Sequence, residues 1–561
     1  MTASPDAAAD SATWWKRAVF YQIYPRSFFD TNGDGIGDLP GVRAKLPYIA
    51  DLGVDAIWLS PFFTSPMKDF GYDVSDYRGV DPTFGSLEDF DALVADAHAL
   101  GLKVIIDQVW SHTSDRHPWF LESSGSSRSK KADWYVWADA HADGTPPNNW
   151  QACFGGPAWS WSPRRRQYYL HNFLEGQPDL NFWNRHVQDA VLDVARFWLD
   201  RGVDGFRLDA VNYLFHDAGL RDNPPAAWRS TPQTTHKFQQ HIYERTRPET
   251  LSFITRLRAL MDTYDDRMAV GEIFDSSPLK TQRAYTADPT LLHSAYNFYL
   301  LDAKRADPDL FEAVIMGWRR RKGWPSWSLS NHDVPRFPSR LSPAGPLDER
   351  RTRVLLAILL SLPGTPYLYQ GDELGLPQAE IPFDKLQDPY AIAAYTGSAG
   401  RDGARTPMPW SHAAPNAGFS SAKDPWLPVD PRHRTLAVDL QEGREDSTLE
   451  FVRRFLALRR RRPELQLGKG DFLDRARRPP SNVLAFARQH EDRRTVCLFE
   501  LAGRETRVPF EGVCDLIDAG MGGRLEAGEV VLPPFGAAFL SMRDLPTGES
   551  PLRALAEAEA D

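Results

Sequence analysis

Eight short apolar runs, each followed by a stretch of helical character, constrain this chain more than any other feature. They are AVFYQIYP (18–25), DAIWLSP (55–61), KVIIDQV (103–109), VDGFRLD (203–209), MAVGEI (268–273), HSAYNFYL (293–300), SWSLSNHD (326–333) and TPYLYQGDE (365–373). Runs without strict polar alternation read as strands buried on both faces, and strand–helix alternation makes the sheet parallel, because a parallel partner is reached only through a crossover. Eight such units predict an α/β fold, a closed (β/α)8 TIM barrel. The crossover helices are plain in places. In HVQDAVLDVARFWLDRG, Val187, Val191, Val194 and Phe197 or Trp198 recur at helical spacing.

Two stretches break the rhythm and set the domain organisation. Residues 110–182, rich in Trp, Pro, Gly and Ser, read as a small domain inserted after the third strand, between barrel parts 1–109 and 183–469. From residue 470 the helical pattern gives way to β-like runs, NVLAFARQ, RTVCLFEL and GAAFLSM, which predict a C-terminal antiparallel β domain over 470–545, with 546–561 a frayed tail. The basic cluster Arg459 to Arg462 follows a helical stretch and reads as a solvated helix end.

Charge excludes whole classes of function. A formal net charge of −10, with no basic run long enough to track phosphates, argues against nucleic acid. No run of apolar residues has transmembrane length, and the start MTASPDAAADSATWW lacks the basic and apolar regions of a signal peptide. The three cysteines, Cys153, Cys497 and Cys514, have no CxxC spacing and read as free thiols of a reducing compartment, so a cytoplasmic location is expected.

Barrel enzymes build their sites at the C-terminal ends of the strands, and charges fall there in turn. Asp107 and His112 end or follow the third strand, Arg207 and Asp209 the fourth, Glu272 the fifth, His332 and Asp333 the seventh. Arg207 and Asp209, two apart, share a face, so the guanidinium is expected to orient the aspartate and keep it ionised. Any one such group is as well explained by an ion pair or a helix cap. Three carboxylates converging with two histidines and an arginine point instead to hydrolytic or transfer chemistry.

Those residues also resemble a known family. The chain is similar to the α-amylase superfamily of glycoside hydrolases, in the α-glucosidase and oligo-1,6-glucosidase branch. AVFYQIYPRSF, DTNGDGIGDLPG, DFGYDVSDY, DQVWSHTSDRHPWF, GFRLDAV, GEI, SNHD, YQGDE and GRDGARTPMPW carry the resemblance in that order. It implies the same barrel, insert and C-terminal β domain. It also implies roles: Asp209 the nucleophile, Glu272 the general acid/base, Asp333 the carboxylate that stabilises the transition state. Asp69, Tyr72, His112, Arg207, His332 and Arg401 match the shell around the nonreducing-end sugar, Phe154 the aromatic bordering it, and Asp107 a support for Arg207. Retaining hydrolysis needs such a pair of carboxyls about 5–5.5 Å apart, one ionised and one protonated. Ser111 stands where the family has an asparagine, which puts one local hydrogen bond in question.

The resemblance implies a retaining, exo-acting α-glucosidase whose partner is a small oligosaccharide or other α-glucoside, with glucosyl transfer to other acceptors as a second outcome. It also bears on linkage. In related enzymes a valine after the nucleophile goes with α-1,6 cleavage, and here the residue is Ala210, so α-1,4 is expected. The alternatives on this fold are sucrose-, α-1,6- or trehalose-phosphate-active enzymes. The Arg-Leu-Asp-Arg stretch associated with sucrose isomerases is absent after Asp333, where the chain reads VPRFPSRLSP. A noncatalytic scaffold would have no need of three carboxylates.

DTNGDGIGD is a separate signal. Oxygen donors at alternate positions (Asp30, Asn32, Asp34, the carbonyl of Ile36, Asp38), with glycines for the turn, suit a hard cation, Ca2+ or alternatively Mg2+. It is not an EF-hand, because Gly41 stands at position 12. The resemblance implies a structural cation here.

Overall fold

A computed structural model of the chain describes residues 13–227, 235–319, 321–342, 347–394, 400–472 and 479–543; the expected tail at 546–561 lies outside them. All eight runs form strands of one parallel sheet: β1 Phe20–Ile23, β2 Ala56–Leu59, β3 Lys103–Gln108, β4 Gly205–Leu208, β5 Met268–Ile273, β6 Ser294–Asn297, β7 Ser326–Ser328 and β8 Thr365–Tyr369. They neighbour one another in the order β6-β5-β4-β3-β2-β1-β8-β7. A parallel bridge from Ala295 to Pro325 brings β6 to the start of β7 and nearly closes the barrel. The strands stop short of the runs. Asp209, Asn331 to Asp333 and Gln370 to Glu373 leave the ladder, and these departures carry the polar side chains.

Alternate residues face the barrel axis. Phe20, Ala56, Trp58, Ile105, Met268, Val270, Tyr296 and Tyr367 form one buried cluster there, with the rings of Phe20 and Tyr367 stacked at 4.6 Å. A period of two then lifts Asp107 above Ile105 and Glu272 above Val270, onto the C-terminal rim of the barrel. Gly205 is required at the β4–β5 contact, since a Cβ there would lie 2.0 Å from the Met268 carbonyl oxygen. The close approach sets Arg207 level with Asp107 on β3 and Val270 on β5.

Among the outer helices, Arg185–Asp200 starts at Asn184, whose side chain accepts from the His186 N–H, and buries Val187, Val191, Val194, Ala195 and Trp198. Trp198 is therefore the stripe member and Phe197 lies half-buried beside it. Within 110–182, strands Trp137–Ala138, Trp159–Ser162 and Gln167–Leu170 form a small antiparallel sheet. At the C-terminal end, β9 Lys469–Asp471, β10 Val483–His490, β11 Arg493–Glu500, β12 Thr506–Pro509, β13 Cys514–Ile517, β14 Arg524–Glu526, β15 Glu529–Leu532 and β16 Ala537–Met542 make two sheets. One has the order β9-β10-β11-β16-β13, the other β12-β15-β14, and a shared cluster including Val496, Leu498, Val530 and Leu532 fills the space between them.

The basic cluster after residue 458 is corrected. Helix Thr448–Arg460 buries Arg459 on the same stripe as Val452, Phe455 and Leu456, and its guanidinium donates to the carbonyls of Leu360 and Leu465. Arg460 and Arg461 are exposed, as expected of a helix end. Among the described residues no helix is long and apolar enough to cross a membrane.

Candidate active site

Arg207 is the centre of the rim. It is fully buried, and its Nη1 donates to Asp107 Oδ1 at 2.7 Å and to Asp209 Oδ1 at 2.6 Å, while Nη2 lies 2.7 Å from Glu272 Oε1. Tyr296 on β6 accepts from the same guanidinium at 2.7 Å and donates to Glu272 at 3.0 Å. Glu272 Oε2 accepts the Ala210 N–H at 3.0 Å. Arg207 thus orients Asp209 and Glu272 alike. It does not set them apart, as pairing with the aspartate alone would have done.

Asp333 belongs to a second set of cations. Arg405 Nη2 donates to its Oδ1 at 2.9 Å and Arg401 Nη1 at 3.5 Å, with His332 Nε2 3.2 Å from Oδ2. His332 is itself fixed by Gln22, whose amide meets Nδ1 at 2.8 Å, and by Tyr72, whose hydroxyl lies 2.6 Å from Nε2. The Tyr72 hydroxyl in turn donates to Asp107 at 3.2 Å, joining the two halves of the site.

Both halves open onto one cavity of about 320 Å3, lined among others by Asp209, Glu272 and Asp333. Asp69, Tyr72, His112, Phe154, Ala210 and Arg401 line it too, whereas Arg207 and His332 are not among the lining residues and act from behind. Arg401 reaches Asp69 at 2.7 Å and Asp388 at 2.8 Å and stacks over the Phe154 ring at 5.0 Å. Ser111 resolves the question its substitution raised: its hydroxyl sits 3.0 Å from His112 Nδ1 and supplies a local partner. Gln177, Phe173, Tyr213 and Tyr390 also line the cavity, and Arg405 and Tyr296 hold its carboxylates. Sequence reasoning named none of these six. Arg405 had a signal, lying one helical turn beyond Arg401 in the same GRDGARTP stretch.

The electrostatics divide the three carboxylates. Burial pushes Asp333 up, but the His332 N–H and the Arg405 and Arg401 guanidiniums outweigh it and hold the carboxyl well below its ordinary range. Burial carries Asp209 up to about 7 and Glu272 up to about 7, with Arg207 pulling the other way in each case. Burial also raises Asp107 to about 6. One guanidinium faces three carboxyls, so it offsets only part of the burial of each, and Asp209 and Glu272 are both raised towards neutrality. Burial lowers His112 to about 4 and His332 to about 3, so both imidazoles are neutral hydrogen-bonding groups at neutral pH.

A pH profile follows. Above about 7 both Asp209 and Glu272 are ionised and neither can donate a proton; well below that both are protonated and neither can act as a carboxylate. The expected kcat/KM for an aryl α-glucoside is bell-shaped, falling on the alkaline side as pH passes through neutrality. A profile flat from neutral to alkaline pH contradicts a working carboxyl raised towards neutrality by burial.

The loop at 30–38 is separate from the cavity. Asp30 accepts from the Asn32, Gly33 and Gly35 N–H groups and from Ser420, and Asp38 accepts from Thr31 and caps the helix Leu39–Ala44. Asn32 and Asp34 each accept one N–H of the loop. Gly35 is needed, with φ +91 and the Asp424 carbonyl 2.7 Å from where a Cβ would stand. The donor set, carboxylate, amide and carbonyl oxygens, suits a hard cation in its chemistry. Among the described residues no three His, Cys, Asp or Glu side chains converge as a metal cluster.

A near-closed parallel barrel with three carboxylates on its C-terminal rim is the frame of a glycoside hydrolase, and comparison with known proteins agrees. The model of the α-amylase catalytic domain matches residues 22–468, and the chain belongs to that family. It is 50% identical over 537 residues to a probable α-glucosidase of Rhizobium meliloti (strain 1021), spanning 94% of this chain and 96% of that one. It is 37% identical to a probable oligo-1,6-glucosidase 3 of Bacillus subtilis (strain 168), over 80% of this chain and 84% of that one. Among solved structures, the α-glucosyl transfer enzyme XgtA superposes with a TM-score of 0.90 at 49% identity, covering 95% of this chain and 100% of that one. The chain is an enzyme of the α-glucosidase type of glycoside hydrolase.

Proposed function

We propose that the protein is a retaining, exo-acting α-glucosidase of short α-glucosides, α-1,4 before α-1,6, which also transfers glucosyl groups to acceptors other than water. The observation that carries the reading is the set of three carboxyls, Asp209, Glu272 and Asp333, lining one small cavity, with Arg207 paired to the first two and Arg405 and Arg401 to the third. Asp209 attacks the anomeric carbon while Glu272 protonates the leaving oxygen; Glu272, now ionised, then takes a proton from water or from an acceptor hydroxyl as the glucosyl-enzyme is resolved. Asp333, Asp69 and Arg401 hold the sugar hydroxyls as the ring flattens. A cavity near the lower end of the usual ligand-pocket range, about 300–1,000 Å3, suits a short substrate. Similarity to a glucosyl transfer enzyme supports the transfer step.

Incubating the pure protein with maltose, isomaltose, sucrose and trehalose and resolving the products tests the reading. Glucose is expected fastest from maltose, with transfer products at high substrate. Isomerised sucrose as the main product, or no action on maltose, overturns it.

The proposal includes a structural Ca2+ held by Asp30, Asn32, Asp34, the Ile36 carbonyl and Asp38, supported by the alternate spacing of oxygens and by the loop's separation from the cavity. Chelation is expected to lower the thermal midpoint while leaving turnover at low temperature. An unchanged midpoint in protein shown metal-free by elemental analysis removes the cation from the account. A cytoplasmic location is proposed on the three unpaired cysteines.

A further inference from the structure

The loop between β4 and β5 and the loop after β6 each send a charge to the cavity. Lys237, in the short helix Thr235–Phe238, and Asp302 both line it and both are exposed. The same cavity has an apolar part of its lining in Phe274 and Phe298, in edge-to-face contact at 5.3 Å, with Ala210 and Val334. This is the side of Glu272, two residues before Phe274, and therefore the side the leaving group or acceptor occupies. The Lys237 ammonium acts on the Asp302 carboxylate through its field, as do Lys304 and Arg340, but those two are not among the lining residues.

We infer that Lys237 and Asp302 are the acceptor-recognising pair of this site and select uncharged, hydroxyl-bearing acceptors. The inference rests on the α-glucosidase reading above. A sugar ring lays its C–H face on Phe274 and Phe298, and its hydroxyls serve as acceptors towards the ammonium and donors towards the carboxylate. A neutral polyol uses both charges. A phosphorylated sugar gains at Lys237 but meets Asp302, a like charge whose juxtaposition is the usual device for rejecting a wrong partner. The same pair therefore separates this enzyme from one acting on sugar phosphates.

The test uses the full-length protein with p-nitrophenyl α-glucoside as donor and either glucose or glucose 6-phosphate as acceptor, and compares transfer rates as a ratio. Wild type is expected to favour glucose. Asp302→Asn should shift the ratio towards glucose 6-phosphate by roughly three- to tenfold, and Lys237→Met should shift it the opposite way by a similar factor, both effects shrinking at high salt. A purely structural disturbance would lower transfer to both acceptors without moving the ratio in opposite directions. Shifts in the same direction, or none, overturn the inference while p-nitrophenol release by wild type leaves the parent reading intact. No release by wild type overturns the parent reading instead.

Discussion

Asp209→Ala and Glu272→Gln each abolish most of the turnover and leave the fold standing. Loss of the general acid/base is expected to cost roughly 10²- to 10⁴-fold in kcat, and loss of the nucleophile at least as much, because the covalent route closes. The fold survives for an electrostatic reason. Arg207 lies within contact distance of Asp107, Asp209 and Glu272, so removing one carboxyl relieves crowding around a single buried cation, which keeps two partners. Circular dichroism and a thermal midpoint no lower than that of wild type check this half of the prediction; maltose turnover checks the other. Near-wild-type turnover in either variant contradicts the roles assigned.

Ala210→Val moves linkage preference from maltose towards isomaltose, by roughly 10- to 200-fold in the ratio of kcat/KM, the range expected for about 1–3 kcal/mol in a pocket. Ala210 lines the cavity directly after Asp209, and a stiff, branched side chain there fills space that an α-1,4-linked ring needs. The backbone adds a second effect. Ala210 has φ 40 and ψ 43, a left-handed conformation that β-branched residues rarely adopt, and its N–H bonds Glu272. Valine therefore also lowers kcat on both substrates by disturbing the acid/base. Both sugars assayed on both proteins separate the effects: the ratio reports shape, the common loss reports strain. A wild type that already prefers isomaltose places linkage control elsewhere, with the segment around Lys237 the next candidate.

The barrel was legible because its strands are apolar on both faces, which few other structures demand, and because a period of two carries Asp107, Arg207 and Glu272 to the same rim as their apolar neighbours. The second tier of the site was not. Tyr296 reads as one more aromatic in HSAYNFYL until the β5–β6 register sets it opposite Glu272. Asp388 and Gln177 come from irregular segments with no period to place them, and only the folded chain brings them to Arg401 and Asp69. Arg459 differs from the arginines beside it because helical spacing from Val452 and Phe455 puts it on the buried stripe. Lys237 carries no signal in the sequence for the opposite reason: the segment from Asp217 to Leu251 has little periodicity, and part of it, 228–234, lies outside the described residues.

The anomer of the sugar first released decides whether Asp209 acts as a nucleophile. Proton NMR of an α-glucoside digest, followed from the first turnovers and before mutarotation, distinguishes the two outcomes. A covalent glucosyl-Asp209 intermediate, formed and broken by successive displacements, predicts α-glucose as the initial product, with the β anomer growing in only as mutarotation proceeds. Initial release of β-glucose requires a single displacement by water and contradicts the nucleophilic role of Asp209.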